Sequence, residues 1–341
     1  MMDLWQTLQS ETKPIVLYGM GNGAQAVLNQ LNKYKIKPVG IFASDNFARG
    51  GQFCGYPVQT YDALKKQYPE MVILVCFGTN RTEVLDNIER LSKEQKLYCP
   101  DVPVYGDNIF DLHFARKNAS QIEQCYNLLA DDLSRKTFEN IILFKLTGKM
   151  QYLQQCELEE DLFGALSLTD HEIYLDLGAY RGDTVEEFLN KVTTYEHIYA
   201  LEPNEKTFRK LSQNTATLDK ITVINVAISD SNSQVYMNSD GRGCAIGAQG
   251  NLMQTITVDS LLNGRPATLI KMDVEGVEAS ALAGATQTIS NYRPKMIIAA
   301  YHRSEDIFEL PLLIHEMQSD YKIELRHFKH NLAWDTNYYF L

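Results

Sequence analysis

The sequence predicts an α/β protein with two Rossmann-like units joined by helices. Three observations carry this. Short apolar runs, strand-sized, alternate with helical patterns along most of the chain, which is the signature of parallel sheets. Two of those runs pass directly into a glycine-rich turn and then a helix, at Gly19-Met20-Gly21-Asn22-Gly23 and at Gly178-Ala179-Tyr180-Arg181-Gly182. In the second half, successive apolar runs end in carboxylates. The expected division is a nucleotide-binding-type unit over residues 1–105, a helical connector over 106–165, and a larger unit over 166–341.

In the first unit, Lys13-Pro14-Ile15-Val16-Leu17-Tyr18 reads as a strand. A helix follows with Ala26, Val27, Leu28 and Leu31 on one face. A second strand, Pro38 to Phe42, closes near Asp45. A glycine turn with an acid about 20 residues on resembles a dinucleotide or nucleotide-sugar site. Gly19, Gly21, Gly23 and Asp45 are therefore a candidate second ligand site. The fingerprint is G-x-G-x-G-A, with its third glycine displaced, so a structural or partner-binding unit is favoured over an occupied one. Met71 to Phe77 is a third strand. Tyr61 and Lys65 have the Tyr-x-x-x-Lys spacing of short-chain dehydrogenases. They follow the Gly19 turn too closely for that family, and a surface helix is expected.

From Asp107 to Gln155 apolar residues fall at helical spacing: Ile109, Leu112 and Phe114, then Ile122, Cys125 and Leu129, then Phe138, Ile141, Ile142 and Phe144. Two or three connecting helices are expected, with these stripes as core.

The larger unit opens with Ile173-Tyr174-Leu175-Asp176-Leu177, followed by Gly178-Ala179-Tyr180-Arg181-Gly182-Asp183-Thr184. Glycine lets the backbone pass close to a ligand with no Cβ in the way, and the helix start offers free N–H groups. The next strand, Ile198 to Leu201, ends in Glu202, and a carboxylate there can accept from both hydroxyls of a ribose. Ile221 to Val226 is a strand leading to Ala227-Ile228-Ser229-Asp230. Ser233 to Met237 alternates and reads as an edge strand. Ala267 to Met272 is apolar and ends in Asp273-Val274-Glu275-Gly276-Val277-Glu278, which puts Asp273 in the same crevice as Asp176 and Glu202. Lys295 to Ala300 delivers Tyr301 and His302 to that edge. Two closing strands, Tyr321 to Arg326 and Asn337 to Leu341, are expected to be antiparallel.

These runs, in this order, resemble the FkbM family of S-adenosylmethionine-dependent methyltransferases, over roughly Asp170 to Leu341. The Asp-Val-Glu-Gly-x-Glu run is the most specific piece. The resemblance implies a class I methyltransferase sheet, mostly parallel with an antiparallel last strand, and methyl transfer from S-adenosylmethionine to an oxygen of a small hydroxylated molecule, a sugar or sugar nucleotide foremost. It implies Asp176, Gly178, Ala179, Gly182, Asp183 and Thr184 beside the methionine part and ribose. It also implies Glu202 on the ribose hydroxyls, with Pro203 and Asn204 flanking. Ala227 and Ile228 would lie near the adenine and Asp273 near the sulfonium. Two alternatives stand beside it: a cofactor-binding scaffold or sensor without turnover, and an NAD or sugar-nucleotide binder acting through the first unit.

A hydroxyl acceptor must lose a proton, so a carboxylate or imidazole is needed. Asp273, His302 and Glu275 are the candidates in that order. Asp273 could instead cap the next helix or orient the cofactor, Glu275 sit in the first helical turn or pair with Lys271, and His302 be a satisfied strand-end histidine. His327 and His330 read as surface residues. The trio Asp273, Glu275 and His302 could also hold a metal, but no metal-specific spacing marks it, and none is expected.

With 43 Asp and Glu against 32 Lys and Arg and no basic block, nucleic acid is not an expected partner. The start lacks a leader pattern, and runs such as Val72 to Phe77 are too short to span a bilayer, so a cytoplasmic protein with no membrane partner is expected. The cysteines are scattered singly, without a C-x-x-C pair. A homo-oligomer is left open.

Overall fold

The computed structural model describes residues 2–44, 51–238, 245–247 and 250–341. Among the described residues the strands form three sheets. The first contains β1 (Ile15–Tyr18), β2 (Gly40–Phe42), β3 (Gln52–Phe53), β4 (Tyr56–Gln59), β5 (Val72–Val75) and β6 (Lys96–Tyr98), in the order β3-β4-β2-β1-β5-β6. All pairings are parallel except β3 with β4. The helix Asn22–Lys33 buries Val27, Leu28 and Leu31 as its sequence shows, with Ala24 in place of the expected Ala26, which is only half-buried.

Part of the glycine turn at the carboxyl edge of this sheet packs against the chain itself, while Gly21 has nothing within 4 Å of an added Cβ. A Cβ on Gly19 would meet the Phe77 ring at 2.5 Å, and one on Gly23 the Cys76 carbonyl at 2.3 Å. These two glycines are explained by close approach of the chain to itself. Asp45, the fourth member of the candidate second ligand site, lies outside the described residues. The Tyr61 helix (Tyr61–Gln67) has the surface character expected: the Tyr61 hydroxyl and Lys65 ammonium both bind Glu94.

The second unit holds β7 (Glu157–Leu158), β8 (Ile173–Leu177), β9 (His197–Leu201), β10 (Ile221–Ile224), β11 (Ala227–Ile228), β12 (Gln234–Asn238), β13 (Ala245–Gly247), β14 (Asn251–Ile256), β15 (Leu269–Met272), β16 (Lys295–Ala299), β17 (Ile323–Phe328) and β18 (Thr336–Phe340). Its main sheet runs β10-β9-β8-β15-β16-β18-β17-β7, with β18 antiparallel to both neighbours and the other pairings parallel. A smaller sheet runs β11-β14-β12-β13. The segment read as an edge strand is therefore flanked on both sides in that sheet, by β13 and β14. Among the described residues no helix is long and apolar enough to cross a membrane.

The connector supplies helices Leu112–Lys117, Ala119–Leu128, Asp132–Thr147 and Gln151–Gln154. The longest starts where Asp131 Oδ1 accepts the Ser134 N–H at 2.6 Å and stops at left-handed Gly148. Its Phe138, Ile141 and Phe144 join the same core cluster as Leu175 and Ile298. The connector differs from expectation in having four helices instead of two or three, and in one piece that is not helical. Glu157–Leu158 is a strand, paired with β17, and two residues are too few to show a period.

The two units are tied through Asn331. Its side chain accepts the Thr79 N–H at 2.7 Å and donates to the Phe77 carbonyl at 2.9 Å, and beside it Gly78 leaves room for the Trp334 ring. Asn331→Ala removes both partners at a fully buried position. It is expected to lower stability by about 2 kcal/mol, read as a shifted urea midpoint at unchanged slope.

Candidate active site

The carboxyl ends of β8, β9 and β15 open into a cavity of about 620 Å³. The register explains the convergence: Lys271 lies opposite Asp176, and Leu177 opposite Leu201, so the residues after each strand end at one level. Gly178, Asp183, Thr184, Glu202, Pro203, Asn204, Ala227, Ile228, Asp273 and Glu275 all line this cavity. Asp176, Ala179 and Gly182 are not among its lining residues. Asp176 is fully buried, with Oδ1 3.3 Å from the Lys271 ammonium and Oδ2 accepting from the Thr184 hydroxyl. Asp176 can thus act on a ligand only through Thr184 and Lys271.

The turn after β8 is held tightly. The N–H groups of Gly178 and Ala179 both bind the Leu201 carbonyl, at 3.0 and 2.9 Å. Gly178 has φ +83, and a Cβ there would stand 1.9 Å from the Asp273 carbonyl oxygen. The Lys271 ammonium donates to the Gly178 carbonyl at 3.0 Å. Burial disfavours its charge, but Asp176 and Asp273 more than restore it, so Lys271 stays cationic. Lys271 thereby joins the turn, the buried acid and the cavity.

Glu202 is fixed at both oxygens. Oε2 accepts the Tyr180 N–H at 3.1 Å and Oε1 the Asn204 N–H at 2.8 Å. Asn225 pins the strand end by donating to the Glu202 and Pro203 carbonyls at 2.8 and 2.9 Å. The side chain is oriented, and each oxygen keeps a lone pair for a ligand. Burial pushes the Glu202 pKa up to about 7, against those two N–H donors.

Across the cavity stands an acid–histidine cluster. Asp273 accepts from the Tyr301 hydroxyl at 3.2 Å and lies 3.9 Å from the Lys271 ammonium. His302, 2% exposed, has Nε2 3.3 Å from Asp273 Oδ1 and 3.7 Å from Glu275 Oε2. Its Nδ1 faces buried Glu278 at 2.8 Å. Burial opposes charge on the ring, yet Glu278 first and then Asp273 and Glu275 raise its pKa to about 10. In the free protein His302 is therefore an imidazolium at neutral pH.

The structural alternatives for these residues fare differently. The helix Glu278–Ala283 starts at Val277, so Asp273 does not cap it. Glu275 sits before that helix at φ +59, and its carboxylate makes an ion contact with His302, 3.7 Å away, instead of with Lys271. His327 and His330 are not surface residues. Both are buried, and burial pushes their pKa values down to about 3 and 4, so they are neutral. They face inward because β17 is covered by the helix Asp132–Thr147 and by the hairpin loop that docks on Gly78.

Several lining residues had no sequence signal. Asn80 reaches the cavity from the first unit, and Asp335, raised by burial to about 6, from the last hairpin. Glu278 stands in the Asp-Val-Glu-Gly-x-Glu run, which was its one visible sign.

A parallel sheet with one reversed strand, and an acid-lined cavity at its switch edge, give this unit the Rossmann-like fold of class I methyltransferases. Residues 176–322 match the family model described as Methyltransferase FkbM domain. The chain is similar in fold to the solved methyltransferase FkbM from Methylobacillus flagellatus KT. The TM-score is 0.75 at 23% identity, over 97% of this chain and 90% of that one. Fibrillarin from Aeropyrum pernix, solved with natively bound S-adenosyl-L-methionine, overlaps 53% of this chain and 71% of its own, at 13% identity and a TM-score of 0.34. Fibrillarin from Methanococcus jannaschii overlaps 57% and 74%, at 13% identity and 0.35. Overlaps that partial add nothing to the assignment. No curated protein sequence matches the chain.

Proposed function

We propose that the protein is an S-adenosylmethionine-dependent O-methyltransferase acting on a hydroxyl of a small polyol, a sugar or glycan precursor. The observation that carries this is Glu202: a buried carboxylate, clamped by two backbone N–H groups at a strand end, in the same cavity as Asp273. A ribose diol would satisfy its remaining lone pairs. The cavity lining also suits a sulfonium. Among the described residues Glu160, Asp183, Glu187, Asp273, Glu275 and Asp335 line it, against the single ammonium of Lys271. That balance favours an uncharged acceptor over a sugar carrying a nucleoside diphosphate.

When bound, S-adenosylmethionine supplies a methyl group whose bonding electrons leave with sulfur. Glu202, Pro203 and Asn204 hold the nucleoside side. Ala227 and Ile228 give an apolar seat for a base. The cavity walls align an acceptor oxygen and exclude water. Asp273 takes the acceptor's hydroxyl proton as the new C–O bond forms. Charged His302 stabilises the Asp273 carboxylate and is itself fixed by Glu278, which makes these two positioning residues.

Calorimetric titration of the full chain with S-adenosylmethionine tests the reading. Binding weakened about 100-fold in Glu202→Ala is expected, since two charge-assisted bonds are lost. No binding by folded wild-type protein would overturn it. A pH series adds a sign. The ligand needs ionised Glu202, and a proton competes below pH 7. Affinity should therefore fall about tenfold from pH 8 to pH 6, and Glu202→Gln should flatten the dependence.

A further inference from the structure

We propose that the acceptor is held by a subsite shared between the two units, in which Asp335 and Asn337 of the last hairpin and Asn80 of the first unit bind the hydroxyls of an uncharged, sugar-like polyol. The inference rests on the methyltransferase reading and adds the acceptor's own contacts to it. All three residues line the cavity. Among the described residues, none of the three side chains makes a hydrogen bond within the protein.

Asn337 carries the argument. It is 8% exposed, and a buried amide ordinarily finds its partners inside the fold. On β18 it stands opposite Ala299, two residues before Tyr301. Strand alternation puts it on the same face as Tyr339, whose hydroxyl donates to the carbonyl of Leu162, another cavity residue. The free amide is thus turned to the ligand space. Asp335, half-buried, precedes it in a left-handed conformation at φ +55. The Phe328 N–H holds its carbonyl at 3.1 Å, which leaves the carboxylate to the cavity. Burial first, then the charge of Asp273, push the Asp335 pKa up to about 6 against the pull of Lys271. Asp335 therefore stands within the field of the group assigned to take the acceptor's proton. A carboxylate short of donors gains from two hydroxyls, and its charge beside Asp273 turns away anionic acceptors. The same hairpin loop sets Asn80: Asn331 accepts the N–H of the preceding residue, Thr79, at 2.7 Å. The first unit then serves the reaction as one wall of the acceptor site.

The test is saturation-transfer difference NMR on the full chain with the methyl α-glycosides of glucose, galactose and mannose, each with and without saturating S-adenosylhomocysteine. Transfer to at least one glycoside is expected, and none to glucose 6-phosphate. Asn80→Ala and Asn337→Leu should each weaken the best glycoside about three- to tenfold, and Asp335→Asn at least about tenfold. S-Adenosylhomocysteine affinity, by calorimetry, should hold in all three. Asn80 is exposed, and asparagine tolerates the left-handed backbone of Asp335, so these two variants remain decisive if Asn337→Leu fails to fold. Absence of transfer to every glycoside, equal transfer to glucose 6-phosphate, unchanged glycoside affinity in Asn80→Ala and Asp335→Asn, or a parallel loss of S-adenosylhomocysteine affinity would overturn the subsite. S-Adenosylhomocysteine binding without glycoside binding sinks the subsite alone. Glycoside binding that is weakened in the variants, in a protein that binds no S-adenosylhomocysteine, sinks the methyltransferase reading alone.

Discussion

Gly178→Ala is expected to destabilise the protein by about 4 kcal/mol and to abolish S-adenosylmethionine binding. Two costs combine. At φ +83 a side chain is strained by about 1–2 kcal/mol wherever it occurs. Here the new Cβ would also stand 1.9 Å from the Asp273 carbonyl oxygen, and that obstacle is backbone. Neither partner moves freely. The Gly178 N–H is bound to the Leu201 carbonyl, and the Asp273 N–H to the Leu177 carbonyl. Relief requires the β8 and β15 ends to separate, and the cavity lies between their turns. Gly264→Ala supplies the control: φ is +79 there and nothing lies within 4 Å of the added Cβ. It should show the strain alone, about 1–2 kcal/mol by urea unfolding, with ligand affinity unchanged. Equal losses in the two variants would mean that the close approach to Asp273 costs nothing.

The same comparison shows what the sequence made legible. Gly178, Glu202 and Asp273 stood out because each ends an apolar run, and the strand period together with the rule that ligands meet the carboxyl ends of parallel strands brought them together. The antiparallel hairpin of β17 and β18 was legible for the same reason. What was hidden depends on pairs distant in sequence. Asp176 looked like a ligand residue because it precedes the turn, but strand alternation turns it toward Lys271, its register partner on β15. Glu278 was visible as a letter in a motif, while its role needs His302, brought back by another strand and helix. His327 and His330 are polar by type and were placed outside. Their burial follows from packing by the connector and the first unit, which no local pattern encodes. Asn80 reaches the cavity through the docking of one unit on the other.

Asp273→Asn is expected to lower turnover by about 10²- to 10³-fold while changing S-adenosylhomocysteine affinity only slightly. The amide keeps the shape and can still accept from the Tyr301 hydroxyl, so the cavity wall should persist. It cannot take a proton from the acceptor. His302 does not replace it, because it already carries its proton near neutrality. Product release should be followed under single-turnover conditions, with affinity measured separately by calorimetry. A parallel loss of affinity would make Asp273 a cofactor ligand instead of a base.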